Sequence, residues 1–162
     1  MTPKSFHLAQ VNIARMRASI VDPVMEGFVA QLEFINACAE RSPGFVWRLQ
    51  SEAGDATGLE IFEDPTLLIN MSVWESMEAL YNYVYKSAHL KPLQDRKSWF
   101  KPMDRSHLAL WWIQKGYEPT IAEAELRLSL LHERGPTSEA FTFKEAFPPP
   151  VAAPDRTSRV GA

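Results

Sequence analysis

Cysteine is almost absent from this chain, with only Cys38 in 162 residues. A single thiol closes no internal disulfide, and without CxxC or Cys/His ligand spacing no side-chain metal site is expected. Cys38 lies in the apolar helical run FINACAE, where a free cysteine reads as a small buried hydrophobe. Charge of one sign is lacking too. Seventeen basic residues against twenty acidic ones leave a net charge of −3, which gives no general field for nucleic acid or anionic lipid. No stretch approaches the ~18 apolar residues of a membrane span. The opening MTPKSFHLAQVNIARMRA has no apolar run of signal-peptide length. The expectation is a cytoplasmic protein in a reducing setting, with neither nucleic acid nor membrane as partner. GxGxxG, the P-loop, GxSxG and HExxH are all missing, which removes most of the case for nucleotide cofactors and for serine-triad hydrolysis.

Aromatic residues are plentiful instead. The chain has five Trp and nine Phe, and four of the Trp fall between positions 74 and 112. Clustered tryptophans can form a core, an interface or a pocket for a flat ligand.

The hydrophobic pattern sets out the elements. Phe6 to Ile13 alternates as a strand, with Phe6, Leu8 and Gln10 on one face and His7, Ala9 and Val11 on the other. Asp22-Pro23 is a helix start, and Val24, Phe28, Leu32, Ile35 and Cys38 form an apolar stripe as far as Arg41. Phe45 to Gln50 reads as a strand buried on both faces, and Thr66 to Trp74 as another apolar strand. The polar stretch between them reads as a loop. Ser76 caps a helix reaching about Ser87, Pro92 opens a shorter one ending near Phe100, and His107 to Gln114 is the fourth strand. The order β-α-β-β-α-β specifies an α+β fold of the ferredoxin-like kind, a four-stranded antiparallel sheet with two helices on one face. The uncovered face is too apolar for water, so a homodimer packed sheet to sheet and enclosing cavities is expected.

Beyond Gly116, Pro119-Thr120 starts a helix with Ile121, Ala124, Leu128 and Leu131 in register. Phe141, Phe143 and Phe147 then alternate in an extended strip that ends in three prolines. The division is 1–118 for the barrel domain, 119–150 for a C-terminal helix and packing arm, and 151–162 for a disordered tail.

FVWRLQ at 45–50, SVWES at 72–76 and YKSAH at 85–89 together make a recognisable set, with WF at 99–100, LWW at 110–112 and the closing GPT, AFTF and FPPP. With these motifs the chain resembles an uncharacterised bacterial family, the domain of unknown function 3291, over residues 6 to 150. That resemblance implies a dimeric α+β barrel, distantly related to antibiotic-biosynthesis monooxygenases and to haem-handling proteins. It implies no particular reaction.

Several residues could carry chemistry. His89 follows Tyr81 and Tyr85 on one helix face, at a C-terminus whose dipole favours the protonated ring. It could move a proton or ligate haem iron axially, though a helix-capping histidine is the plainer reading. Arg48, between Trp47 and Leu49, must find an anion, either a substrate group or a salt bridge to Glu75 or Asp95. Asn70 and Trp74 share a strand face, and an amide and an indole there could orient a polar aromatic substrate. Cofactor-independent monooxygenases of the resembled fold are thought to use such groups, while the plainer reading puts Trp74 in the core. Trp111 and Trp112 point to opposite faces, with one of them toward the cavity. The expected site therefore has His89, Asn70 and Trp74 as catalytic residues and Arg48, Trp47, Tyr85, Trp99 and Trp112 as substrate contacts, with no metal. The leading functional expectation is a monooxygenase-like small oxidoreductase acting without a cofactor on a small hydrophobic, aromatic molecule. A haem protein with His89 as ligand and a non-enzymatic dimeric scaffold are the alternatives.

Overall fold

A computed structural model describes residues 6–49, 67–86, 99–102 and 107–150. Its strands are β1 (Phe6–Met16), β2 (Phe45–Arg48), β3 (Leu67–Trp74), β4 (Phe100–Lys101) and β5 (Leu108–Gln114). Its helices are α1 (Glu26–Arg41), α2 (Met77–Lys86) and α3 (Ile121–Arg134), with a 3-10 turn at Pro23–Met25 ahead of α1. The short helix expected after Pro92, the loop expected around Gly54 and Gly58, and the tail expected beyond Val151 lie outside the described residues.

β1 is the central strand. It pairs antiparallel with β3 from Leu8↔Trp74 to Arg15↔Leu67, and on its other side with β5 from Phe6↔Gln114 to Asn12↔Leu108. β4 continues the β5 side beyond His107 by pairing with Arg15 and Met16. β2 lies outside β3, so the spatial order β2-β3-β1-β5 is that of a ferredoxin-like α+β sheet. Strand alternation divides the side chains cleanly. Leu8, Trp74 and Leu110 face α1 and α2, while Ala9, Val11, Ile69, Met71, Val73, Ala109 and Trp111 face the other way.

The sequence pattern explains most boundaries. The Asp22 carboxylate accepts from the Val24 amide as a helix cap should, and Pro23 follows it. The tight turn that results has three residues per turn rather than 3.6, and this rotates the apolar stripe. Met25 is buried and Val24 exposed, the reverse of what the stripe gave at its first position, while α1 buries Phe28, Asn36 and Ala39 and half-buries Leu32, Ile35 and Cys38. β2 is an edge strand whose Val46 is exposed, not one buried on both faces. A bulge between Phe45 and Trp47 shifts its alternation, so Phe45 and Arg48 both oppose residues of the helix-covered face although they are three apart. The Gly44 turn before it requires glycine. Its φ is +86°, and its carbonyl accepts from the Glu75 amide at 2.8 Å while its Cα faces Ala79.

The second face of the sheet is covered by α3. Ala124, Leu128 and Leu131 pack onto Val11, Met71, Ala109 and Trp111, with Trp47 and Leu49 alongside. The cover expected from a second copy is thus supplied over this region by the chain's own helix. A carboxylate fastens it: Glu123 accepts from the Trp111 indole at 2.8 Å and from the Tyr117 hydroxyl at 2.7 Å. Beyond α3 the chain wraps round the β5 edge. Leu110 and Phe141 exchange both backbone hydrogen bonds, at 2.8 and 2.9 Å. Phe141, Phe143 and Phe147 then join the cluster under α2, and the Trp112 indole donates to the Phe147 carbonyl at 2.9 Å.

Candidate functional site

The helix-covered face carries a row of polar side chains that an apolar sandwich would not need. Gln10 on β1 and Ser72 on β3 are directly opposed, as are Asn12 and Asn70 one pleat further on. Trp74 lies beyond Ser72 on the same face of β3. Gln10, 5% exposed, uses its amide nitrogen twice, donating to Asn70 Oδ1 and to Ser72 Oγ, each at 2.8 Å. The fully buried Trp74 indole N–H donates to the same Ser72 oxygen, also at 2.8 Å. The chain of bonds therefore runs Trp74 to Ser72, Gln10 to Ser72, and Gln10 to Asn70.

This chain has a directional result. Asn70 accepts with its oxygen, so its NH2 group is the end left to donate, and Asn70 is exposed. Across the strand pair, Asn12 Oδ1 is buried without a hydrogen-bond partner, which costs about 1–3 kcal/mol unless something donates to it. A donor held in place thus lies beside an unfilled acceptor. Neither group is charged. Such a pair can hold one hydroxyl oxygen by both of its functions, and the Asn70 amide can stabilise charge that develops on it.

The packing beside the row is aromatic. Trp74 stacks on Tyr83 of α2, with ring centroids 5.1 Å apart and planes at 25°. Phe45 meets Trp74 edge-on at 5.4 Å. Tyr83 donates to the Ile35 carbonyl at 3.2 Å. Burial, followed by nearby Cys38, pushes its phenol well above the usual tyrosine range, against the opposing pull of Arg48. Tyr83 is therefore a neutral hydrogen-bond donor and no base.

Arg48 opposes Ser72 on this face, but its guanidinium is occupied. Its Nε donates to Glu40 Oε2 of α1 at 2.8 Å, with the arginine side chain 10% exposed. Among the described residues its salt bridge is to Glu40, eight residues back, while the Asp95 named as a possible partner lies outside them.

The other expected site residues separate. Trp47 opposes Val73 and packs on the α3 side of the sheet, away from Asn70. Trp99 packs with Met16, Met25 and Phe28 at the far end of β1. Tyr85 is on the outside of α2, 4.6 Å from Tyr81 and 5.7 Å from Phe143 between ring centroids. Trp112 shares the face of Trp74 but is covered by the C-terminal arm. His89 lies outside the described residues, and with it the haem reading. Asn70, Trp74 and Arg48 are brought to one face. Gln10, Asn12 and Ser72 are the residues that sequence reasoning missed, and polar residues recurring every second position on otherwise apolar strands were the available signal.

Among the described residues no group of three or more His, Cys, Asp or Glu could hold a metal ion. None of their helices is long and apolar enough to cross a membrane.

The topology defines a ferredoxin-like α+β chain, and the polar row lies on the face of its sheet that α1 and α2 cover. The chain belongs to the family described as domain of unknown function DUF3291, whose model matches residues 7–157. No curated protein matches it. Among solved structures it is similar to SnoaB, a cofactor-independent oxygenase from Streptomyces nogalater, at 14% identity and a TM-score of 0.46, covering 70% of this chain and 95% of that one. It is also similar to the monooxygenase ActVA-Orf6 of Streptomyces coelicolor, solved with nanaomycin D, at 13% identity and a TM-score of 0.42, covering 74% and 95%. A third is PA3566 from Pseudomonas aeruginosa, at 11% identity and a TM-score of 0.46, covering 70% and 98%.

Proposed function

We propose that this chain is a monooxygenase-like enzyme that needs no cofactor and oxidises a neutral, hydroxylated aromatic molecule between the sheet and helices α1 and α2. The observation that supports this best is the fixed Asn70 amide beside the unfilled Asn12 carbonyl. A phenol or enol O–H placed between them donates to Asn12 Oδ1 and accepts from Asn70 Nδ2. As the substrate loses its proton and becomes electron-rich, the Asn70 donor stabilises the developing oxyanion. The electron-rich carbon then reduces dioxygen. For a methylene flanked by aromatic rings the step balances as CH2 plus O2 giving C=O plus H2O. The substrate supplies four electrons; one oxygen atom stays in the carbonyl and the other leaves as water. Trp74 and Gln10 act through Ser72 and Asn70 as positioning residues. Because Glu40 already neutralises Arg48, a neutral substrate suits the site better than a carboxylate.

Oxygen uptake with 1,8-dihydroxyanthrone tests this. The expected result is one O2 consumed per anthraquinone formed. Asn70→Ala should slow turnover by about 10²-fold, the usual effect of losing one oxyanion donor. Uptake unchanged in Asn70→Ala, or none above the rate in buffer, would refute the proposal.

A further inference from the structure

We propose that Tyr81 and Tyr85 form an oxidative cross-linking site, where a one-electron oxidant joins their rings into a dityrosine on the outer face of α2. The two residues are four apart on one helix, which places their side chains on the same face. Both are accessible, Tyr81 at 45% exposure and Tyr85 at 47%. Their ring centroids are 4.6 Å apart with the planes tilted by 43°, at the close end of the ~4.5–7 Å range of aromatic pairs. Carbons of one ring therefore touch those of the other. Phe143 holds the pair in place, meeting the two tyrosines edge-on at 5.9 and 5.7 Å. It is carried by the arm that the Leu110–Phe141 and Trp112–Phe147 hydrogen bonds tie to β5. Two reactive groups already in contact couple far faster than two that must meet by diffusion, because encounter and orientation are arranged in advance.

Each phenol gives up one electron and one proton, and the resulting phenoxyl radical carries spin on its oxygen and on the ring carbons next to it. One such carbon of each ring forms the new C–C bond. The hydrogens displaced there move to the oxygens and restore both phenols. With hydrogen peroxide as oxidant, two phenols and one H2O2 give one dityrosine and two H2O. Two other tyrosines are placed differently. Tyr83 is turned inward, stacked on Trp74 and donating to the Ile35 carbonyl. Tyr117 is as exposed as Tyr85, at 47%, but its hydroxyl is held by Glu123. Neither Tyr81 nor Tyr85 belongs to the polar row, so cross-linking and oxygen uptake report on different groups.

Treatment of the dilute full chain with hydrogen peroxide and a haem peroxidase is the test. Blue dityrosine fluorescence should appear, with the intact mass of a single chain lower by two hydrogens. Peptide mapping by mass spectrometry should place the bond between Tyr81 and Tyr85. Tyr81→Phe and Tyr85→Phe each keep an exposed ring but lack the phenol, so the fold should persist while the product is lost completely. Tyr117→Phe should leave the yield unchanged, and loss of the product there would move the bond to Tyr117. Three further results would each overturn the site: no chain lighter by two hydrogens, cross-links only between chains, or a product that survives Tyr81→Phe or Tyr85→Phe.

Discussion

Ser72 is where the polar row is most vulnerable. Its hydroxyl accepts from both Gln10 and Trp74, and Ser72 is itself buried. Ser72→Ala orphans the buried Trp74 indole N–H and leaves Gln10 only its bond to Asn70, so it should cost roughly 1–3 kcal/mol, the penalty of one orphaned group. Urea titration measures the loss, and a shift in tryptophan fluorescence should accompany it. His7 gives the pH counterpart. Burial, helped by Lys115 and opposed by Glu75, holds its pKa below the ordinary histidine value of 6.5. The unfolded chain therefore takes up the proton first, so stability is full above the mid-6 range and declines as pH falls below it. His7→Gln should flatten that decline in urea midpoints measured between pH 7 and pH 5. These residues also show where sequence reading reaches and where it stops. Asn70 and Trp74 could be assigned to one face because strand alternation is fixed by backbone geometry. The orientation of the Asn70 amide could not, since it depends on Gln10, sixty positions away.

At the scale of elements, two contacts decide how helices sit on the sheet. Glu123 anchors the first turn of α3 by accepting from Trp111 and Tyr117, and its own backbone amide donates to the capping hydroxyl of Thr120. Glu123→Ala should cost about 2–3 kcal/mol in urea unfolding, because the buried indole loses a charged acceptor. At the other end of the sheet, Gly44→Ala would place a methyl group against Ala79 Cβ while forcing a side chain into positive φ. It should destabilise by about 2–4 kcal/mol, beyond the 1–3 of backbone strain alone, and Gly44→Asn, which tolerates that φ better, offers no relief from the clash. Every strand except the two-residue β4, and the helices α2 and α3, were legible from periodicity and caps. The side of the sheet that α3 takes was not, because an amphipathic stripe shows that a helix must bury a face but not which surface receives it. The inward turn of Met25 in place of Val24 was likewise hidden, since it depends on three residues adopting a tighter turn.

For the whole molecule, α3 and the arm after it convert a two-layer sandwich into three layers with one sheet edge closed. β1 pairs on both sides, with β3 some sixty positions along and with β5 about a hundred positions along. β1 therefore cannot be completed until β5, about a hundred positions further along, has been made. Non-local pairing of this kind makes for slow folding, during which the apolar β1 surface has no partner. Once β5 has paired and the arm has sealed its edge, the order is reversed. β1 amides become the last to open, and a strip made after β1 guards it by sealing the far edge of its partner β5.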